Sequence, residues 1–84
     1  MVQKEYVLQR STRKFKKYMA LMCRSGRVVH FGDNRYQQYR DSTGLNVYTH
    51  LNHGDPERRK RYYARHGKKA KKFSAKWFSH IYLW

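Results

Sequence analysis

The segment FSAKWFSHIYLW, residues 73–84, crowds Phe73, Trp77, Phe78, Ile81, Tyr82 and Trp84 into a dozen positions. A buried aromatic ring removes about 150–250 Å² from water, so a run this dense has to be covered by something. Two covers are open to it, another part of the same chain or a neighbouring molecule. Phe73, Trp77, Phe78, Tyr82 and Trp84 are therefore the expected docking residues of the chain. The need is sharpened by size, because 84 residues make one small domain with a thin core.

The residues before this segment divide by punctuation. Residues 1–13 are polar apart from the isolated Val7 and Leu8, and read as a flexible basic arm; residues 14–84 read as the folded domain. FKKYMALMCRSGRVVHF, residues 15–31, reads as a β-hairpin about a Ser25-Gly26 turn, Gly being free to take positive φ. That turn sets Met22 opposite Val29 and Ala20 opposite Phe31. Tyr18, Ala20, Met22, Val29 and Phe31 then share one face, and Met19, Leu21, Cys23, Val28 and His30 an almost equally apolar second one. A helix through Lys14–Cys23 is the rival reading, since Met, Ala, Leu and Lys are good helix formers. Cys23, the single cysteine, is expected to act as a small buried hydrophobe. Beyond Gly32, Asp33 is placed to cap a turn or two of helix over NRYQQYR, and LNVYTHL, residues 45–51, alternates as a short third strand.

The clearest helix is Pro56–His66. Asp55 is suited to cap it, Pro56 has the pre-set φ of a first helical residue, Glu57 meets the positive dipole end, and Gly67 supplies the stop. Arg59, Tyr62, Tyr63 and His66 fall on one face; Arg58, Arg61 and Arg65 point elsewhere, with Glu57 spaced to pair with Arg61. The expected architecture is α+β: a β-hairpin plus a short third strand, packed by this one amphipathic helix, with the aromatic C-terminal segment closing the core.

Twenty Lys and Arg against five acids give a formal charge of +15. Such a surplus repels itself in a compact isolated state and points to a polyanionic partner, nucleic acid foremost, because phosphate neutralisation releases condensed counterions. The phosphate-contacting candidates are Arg13, Lys14, Lys16 and Lys17, then Arg58, Arg61 and Arg65 on the helix, then the run Lys68, Lys69, Lys71 and Lys72. Arginines suit bidentate phosphate grips and lysines looser attraction. No zinc-finger, helix-turn-helix or RNP pattern is present, so no base-specific readout is indicated.

Catalytic readings are weaker. His50, His53 and Asp55 could hold a metal, which beside an arginine cluster would suggest a nuclease. Yet acids are scarce and Asp55 has a simpler use as a helix cap, so no metal or cofactor is expected. The serines lie on no nucleophile elbow, no phosphate-binding glycine loop occurs, and no enzyme is read. One cysteine allows no intrachain disulfide, the first seventeen residues lack the apolar core of a signal peptide, and no run of 18 apolar residues suggests a membrane span.

Several pieces together form a recognisable pattern: His30-Phe31-Gly32, Tyr36 and Tyr39, an Asp-Ser-Thr-Gly-Leu insertion, His53 and Asp55 before Arg58, Arg59 and Tyr62, then Arg65-His66, Ser79 and Leu83-Trp84. Over residues 15–84 this resembles a small domain of unassigned function found in the large nucleocytoplasmic DNA viruses and related viral genomes. The resemblance implies a viral protein and carries no activity with it. In that viral context the +15 charge and the aromatic tail make a basic structural protein of the virion the expectation, made in host cytoplasm, viral factory or nucleus. Such a protein would bind DNA, ahead of RNA. The alternative is a minor capsid protein whose aromatic tail anchors in a coat subunit or in a second copy of itself.

Overall fold

The computed structural model describes residues 5–84, so residues 1–4 of the expected arm lie outside the described residues. Strands β1 (Tyr6–Arg10), β2 (Lys16–Met22) and β3 (Val28–Asp33) form an antiparallel sheet in the order β1-β2-β3. A long connection with one 3₁₀ turn at Thr49–Leu51 leads to helices α1 (Pro56–His66) and α2 (Ala75–Tyr82). The class is α+β.

The hairpin is present, with a longer turn than Ser25-Gly26. Tyr18 lies opposite Phe31 and Ala20 opposite Val29, two residues out of the expected register. Met22 donates its N–H to Arg27 O at 2.8 Å, and Gly26, at φ 72°, donates to Met22 O at 2.9 Å. Cys23 is thereby carried into the turn and exposed, correcting its reading as a buried hydrophobe. A slip of two residues preserves side-chain parity. Tyr18, Ala20, Val29 and Phe31 accordingly share the buried face. Val7 and Val28 on the opposite face are about two-fifths exposed, and each lies opposite Leu21.

Three expectations are corrected here. The third strand is β1, drawn from the expected arm, and Leu45–Leu51 forms no strand. In β1 the alternation of Tyr6 and Leu8 against Val7 and Gln9 supplies the period-two pattern. Tyr6 then pins the strand, meeting Phe78 edge-on at 5.0 Å between ring centroids and sharing a 2.5 Å hydrogen bond between its hydroxyl and that of Tyr82. The helix expected after Asp33 is a turn, because Asp33 accepts from the Arg35 N–H and holds its guanidinium through two further bonds. Such a local side-chain bond competes with helix propagation.

The third correction concerns which helix covers the sheet. It is α2, built from the aromatic segment itself, with Ser74 as N-cap accepting from Trp77 N–H at 3.2 Å. Phe78 stacks on Phe31 at 5.3 Å and is fully buried, as is Leu83 to within 1%. Each fully buried side chain of this kind contributes about 1.5–3 kcal/mol. Helix α1 instead leans on the end of α2 through Tyr62, stacked on Trp84 at 4.3 Å, and Tyr63, whose hydroxyl donates to His80 O. Its boundaries are those expected: Asp55 accepts from Glu57 N–H at 2.9 Å, Pro56 opens it, and Gly67 ends it at φ 75°. The Glu57–Arg61 pair is not among the ion pairs of the described residues.

A buried polar network fastens the 34–55 connection to the sheet. The Tyr18 hydroxyl donates to Asp41 and accepts from Val47 N–H and Tyr48 N–H at 3.2 and 3.3 Å. Asp41 also accepts from the Thr43 N–H and hydroxyl. Asn52 Oδ1 accepts from Gln38 Nε2 and Asp41 N–H, while Gln38 Oε1 accepts from Lys17 Nζ at 2.5 Å. Desolvation raises the Tyr18 pKa, and its bond to Asp41 adds to the rise. Every member has partners, the condition under which buried polar groups stabilise one arrangement.

Candidate nucleic-acid interface

The expected phosphate-contacting residues fall into two surfaces, exposed except for the half-buried Lys16 and Arg58, and one exception. Arg13, Lys14 and Lys16 stand on or beside the β1–β2 turn, where Lys14 Nζ and the Arg35 guanidinium lie over the exposed Phe15 ring at 4.9 and 4.3 Å. Arg58, Arg61 and Arg65 project from α1, and Lys68, Lys69, Lys71 and Lys72 from the extended link to α2. Arg58 is partly engaged, donating to Gln37 Oε1 at 2.7 Å.

The exception is Lys17. It is 2% exposed and bonded to Gln38, so it is withdrawn from any phosphate, correcting its place among the binding residues. The physical reason is Gly32. A Cβ there would sit 3.2 Å from Lys17 Cδ, and the hydrogen in its place leaves the lysine stem room to pass beneath the connection. Desolvation lowers the Lys17 pKa to about 8, opposed by the charges of Asp33 and Asp41.

Little of the cationic surplus is neutralised internally. Among the described residues the one ion pair is Arg35–Asp33, 2.7 Å. This pairing, through its hydrogen bonds first, depresses the Asp33 pKa to about 2. Asp41 is held by hydroxyl and amide donors and Asp55 by a backbone N–H, so neither offsets an arginine. The uncompensated field reaches the histidines. His30, bonded to Ser11 Oγ at 2.7 Å, has its pKa lowered by desolvation and then by Arg13 and Lys16. His53 is lowered by desolvation and then by Arg58, against a smaller opposing effect of Asp55.

No group of three His, Cys, Asp or Glu side chains converges as a metal-binding set among the described residues. His53 Nδ1 accepts from Asp55 N–H at 2.9 Å, while His50 is exposed and tilted against Tyr48. His53 Nε2 is buried without a partner, and its neighbouring rings are Tyr39 and Trp84. Of the expected docking rings, Phe78 has no exposed surface; Phe73, Trp77, Tyr82 and Trp84 are half-buried against the chain itself. Their cover is therefore intramolecular. No helix among the described residues is long and apolar enough to cross a membrane.

Two of the clefts among the described residues bear on this surface. The larger, about 660 Å³, lies between β1 and α2, is walled by Tyr6, Leu8, Leu45, Phe73 and Trp77, and includes both a carboxylate, Glu5, and an ammonium, Lys72. The smaller, about 460 Å³, carries Arg59, Lys60 and Lys68 with no acid in its wall. Arg59, which helical spacing put with the tyrosines on the inner face of α1, stands exposed in the wall of this smaller cleft. Its neighbours in the cleft, Tyr39 and Lys68, come from other segments, and no spacing rule joins them.

A family model, described as a family of unknown function (DUF5754), matches residues 6–43. The match spans the whole sheet and ends at the Asp41–Thr43 turn, and so takes in His30, Phe31, Gly32, Tyr36 and Tyr39 of the motif set. No curated protein and no solved structure matches the chain.

Proposed function

We propose that this protein binds nucleic acid through phosphate contacts as a small, non-enzymatic structural protein of a virion, acting with other virion proteins. The observation that supports it most directly is the unneutralised charge: +15 overall, with Arg35–Asp33 the one ion pair among the described residues. The motif resemblance to a domain of large DNA viruses puts DNA ahead of RNA. Arg13, Lys14 and Lys16 at one turn and Arg61, Arg65, Lys68, Lys69, Lys71 and Lys72 along α1 and its link supply the cations. Anchoring of residues 73–84 in a coat subunit has no comparable support, because those rings already complete the core.

The test is fluorescence anisotropy of a labelled DNA duplex across a salt series. Log affinity should fall linearly with log salt, by about 0.9 for each phosphate neutralised. Lys16→Ala should reduce that slope by about one contact. Lys17→Ala should leave it unchanged, since its ammonium is buried. Affinity that is absent, or indifferent to salt, removes the proposal.

A further inference from the structure

We infer that Arg59 is the centre of a phosphate-binding cleft, in which Lys60 and Lys68 flank a guanidinium held in place by the fold. This rests on the nucleic-acid reading above for the source of the phosphate, and the cleft's chemistry can be tested apart from it. Three contacts fix the side chain. Arg59 Nε donates to Trp84 O at 2.6 Å. The guanidinium carbon stands 5.3 Å from the Tyr39 ring centroid and 5.4 Å from that of Tyr63. The Tyr63 ring is itself anchored, its hydroxyl donating to His80 O, while the Tyr39 backbone carbonyl accepts from Gly54 N–H at 3.0 Å and its ring meets that of His53 at 6.1 Å between centroids.

An arginine so held has already lost much of the rotamer freedom that an exposed side chain gives up on binding. Its two terminal nitrogens have no acceptor among the described residues, although the side chain remains exposed. Those nitrogens are the pair that grips a phosphate bidentately. The surrounding wall contributes two ammonium groups and no acidic side chain, and its volume of about 460 Å³ is in the range of small-molecule sites. The other α1 arginines differ. Arg58 is engaged by Gln37, and Arg61 and Arg65 are exposed with no partner that orients them. The cleft thus differs from general charge attraction in geometry as well as sign.

The experiment has two arms. In the first, inorganic pyrophosphate is titrated into the isotopically labelled protein and the Arg side-chain N–H signals are followed. The Arg59 Nε–H signal should shift saturably, ahead of those of Arg61 and Arg65. In the second, duplex DNA affinity is measured for Arg59→Lys and Arg61→Lys, both of which keep the charge. A held bidentate grip predicts roughly a tenfold loss for Arg59→Lys and less than about twofold for Arg61→Lys. Lys68→Ala, at an exposed position of the link, should give an intermediate loss and covers the case in which Arg59→Lys disturbs Trp84. Equal losses at Arg59 and Arg61, with Lys68→Ala silent, overturn the cleft while leaving salt-dependent DNA binding in place. A pyrophosphate shift at Arg59 without any DNA binding supports the cleft and removes its nucleic-acid source. Pyrophosphate shifts spread evenly over all arginines overturn it outright.

Discussion

Replacing Tyr18 by Phe removes one oxygen atom from the centre of the fold and creates no cavity, so its effect isolates the polar network. The hydroxyl donates to the Asp41 carboxylate and accepts from Val47 and Tyr48 N–H groups, at a residue with no exposed surface. A hydrogen bond to a charged group contributes about 1.5–3 kcal/mol. The two amide bonds are long and only partly buried, and together add about 1 kcal/mol. The expected loss is therefore about 3 kcal/mol, against about 4–13 kcal/mol for the total stability of a domain of this size. At about 4–8 °C per kcal/mol, Tm should drop by roughly 12–24 °C. Urea unfolding followed by fluorescence of Trp77 and Trp84 measures it, with the slope on urea unchanged if the loss is local. Tyr36→Phe is the reference, since that ring is 65% exposed and the same atom is removed. If Tyr18→Phe stays within about 0.5 kcal/mol of the parent protein, the connection is held by something other than this network, and the account of the 34–55 segment is wrong.

Gly32→Ala should destabilise by about 2–4 kcal/mol, combining a left-handed φ of 75° with a Cβ placed 2.7 Å from Leu83 Cδ1. Gly44→Ala, at φ 80° in open space, should lose only the conformational part, about 1–2 kcal/mol. Equal melting shifts for the two would show that the approach of Leu83 and Lys17 to Gly32 is immaterial. The histidines predict acid sensitivity. His30, His53 and His80 all have pKa values lowered from 6.5, by desolvation first. In the unfolded chain they take up protons at higher pH than in the fold, so stability rises with pH across that window. The contribution is complete above pH 6.5 and is lost as pH falls below it towards the folded values. Tm measured at pH 5 should lie below Tm at pH 7.5, and a Tm that rises on acidification contradicts the direction of these shifts.

Much of the local structure was legible in the chain. Asp55, Pro56 and Gly67 carry their own backbone preferences, so α1 begins and ends where those residues put it. The grouping of Tyr18, Ala20, Val29 and Phe31 on one face of the hairpin was readable too, because side-chain parity survives a register shift of two residues; which of its two apolar faces turns inward was not, since helix α2 makes that choice. The turn length was less legible. Cys23-Arg24-Ser25-Gly26 offers its glycine to either a two-residue or a four-residue turn, and the register with β1 and β3 selects the longer one. β1 itself was underestimated, since Val7 and Leu8 count for little until Tyr6 finds Phe78 and Tyr82 some seventy residues away.

Composition and pattern by themselves determined that the chain folds about its aromatic rings, that its class is α+β, and that its cations exceed anything its acids could neutralise. Only the tertiary structure decided which helix covers the sheet, that Lys17 is buried while Lys16 is not, and that the Arg59 guanidinium lies against the rings of Tyr39 and Tyr63 with its Nε bonded to Trp84 O. The reason is physical. Backbone preference and charge are properties of residues and short segments, whereas burial of an ammonium or fixing of a guanidinium depends on groups from distant segments meeting at one place. For Lys17 those groups are Gly32 and Gln38, and for Arg59 they are Tyr39 and Trp84.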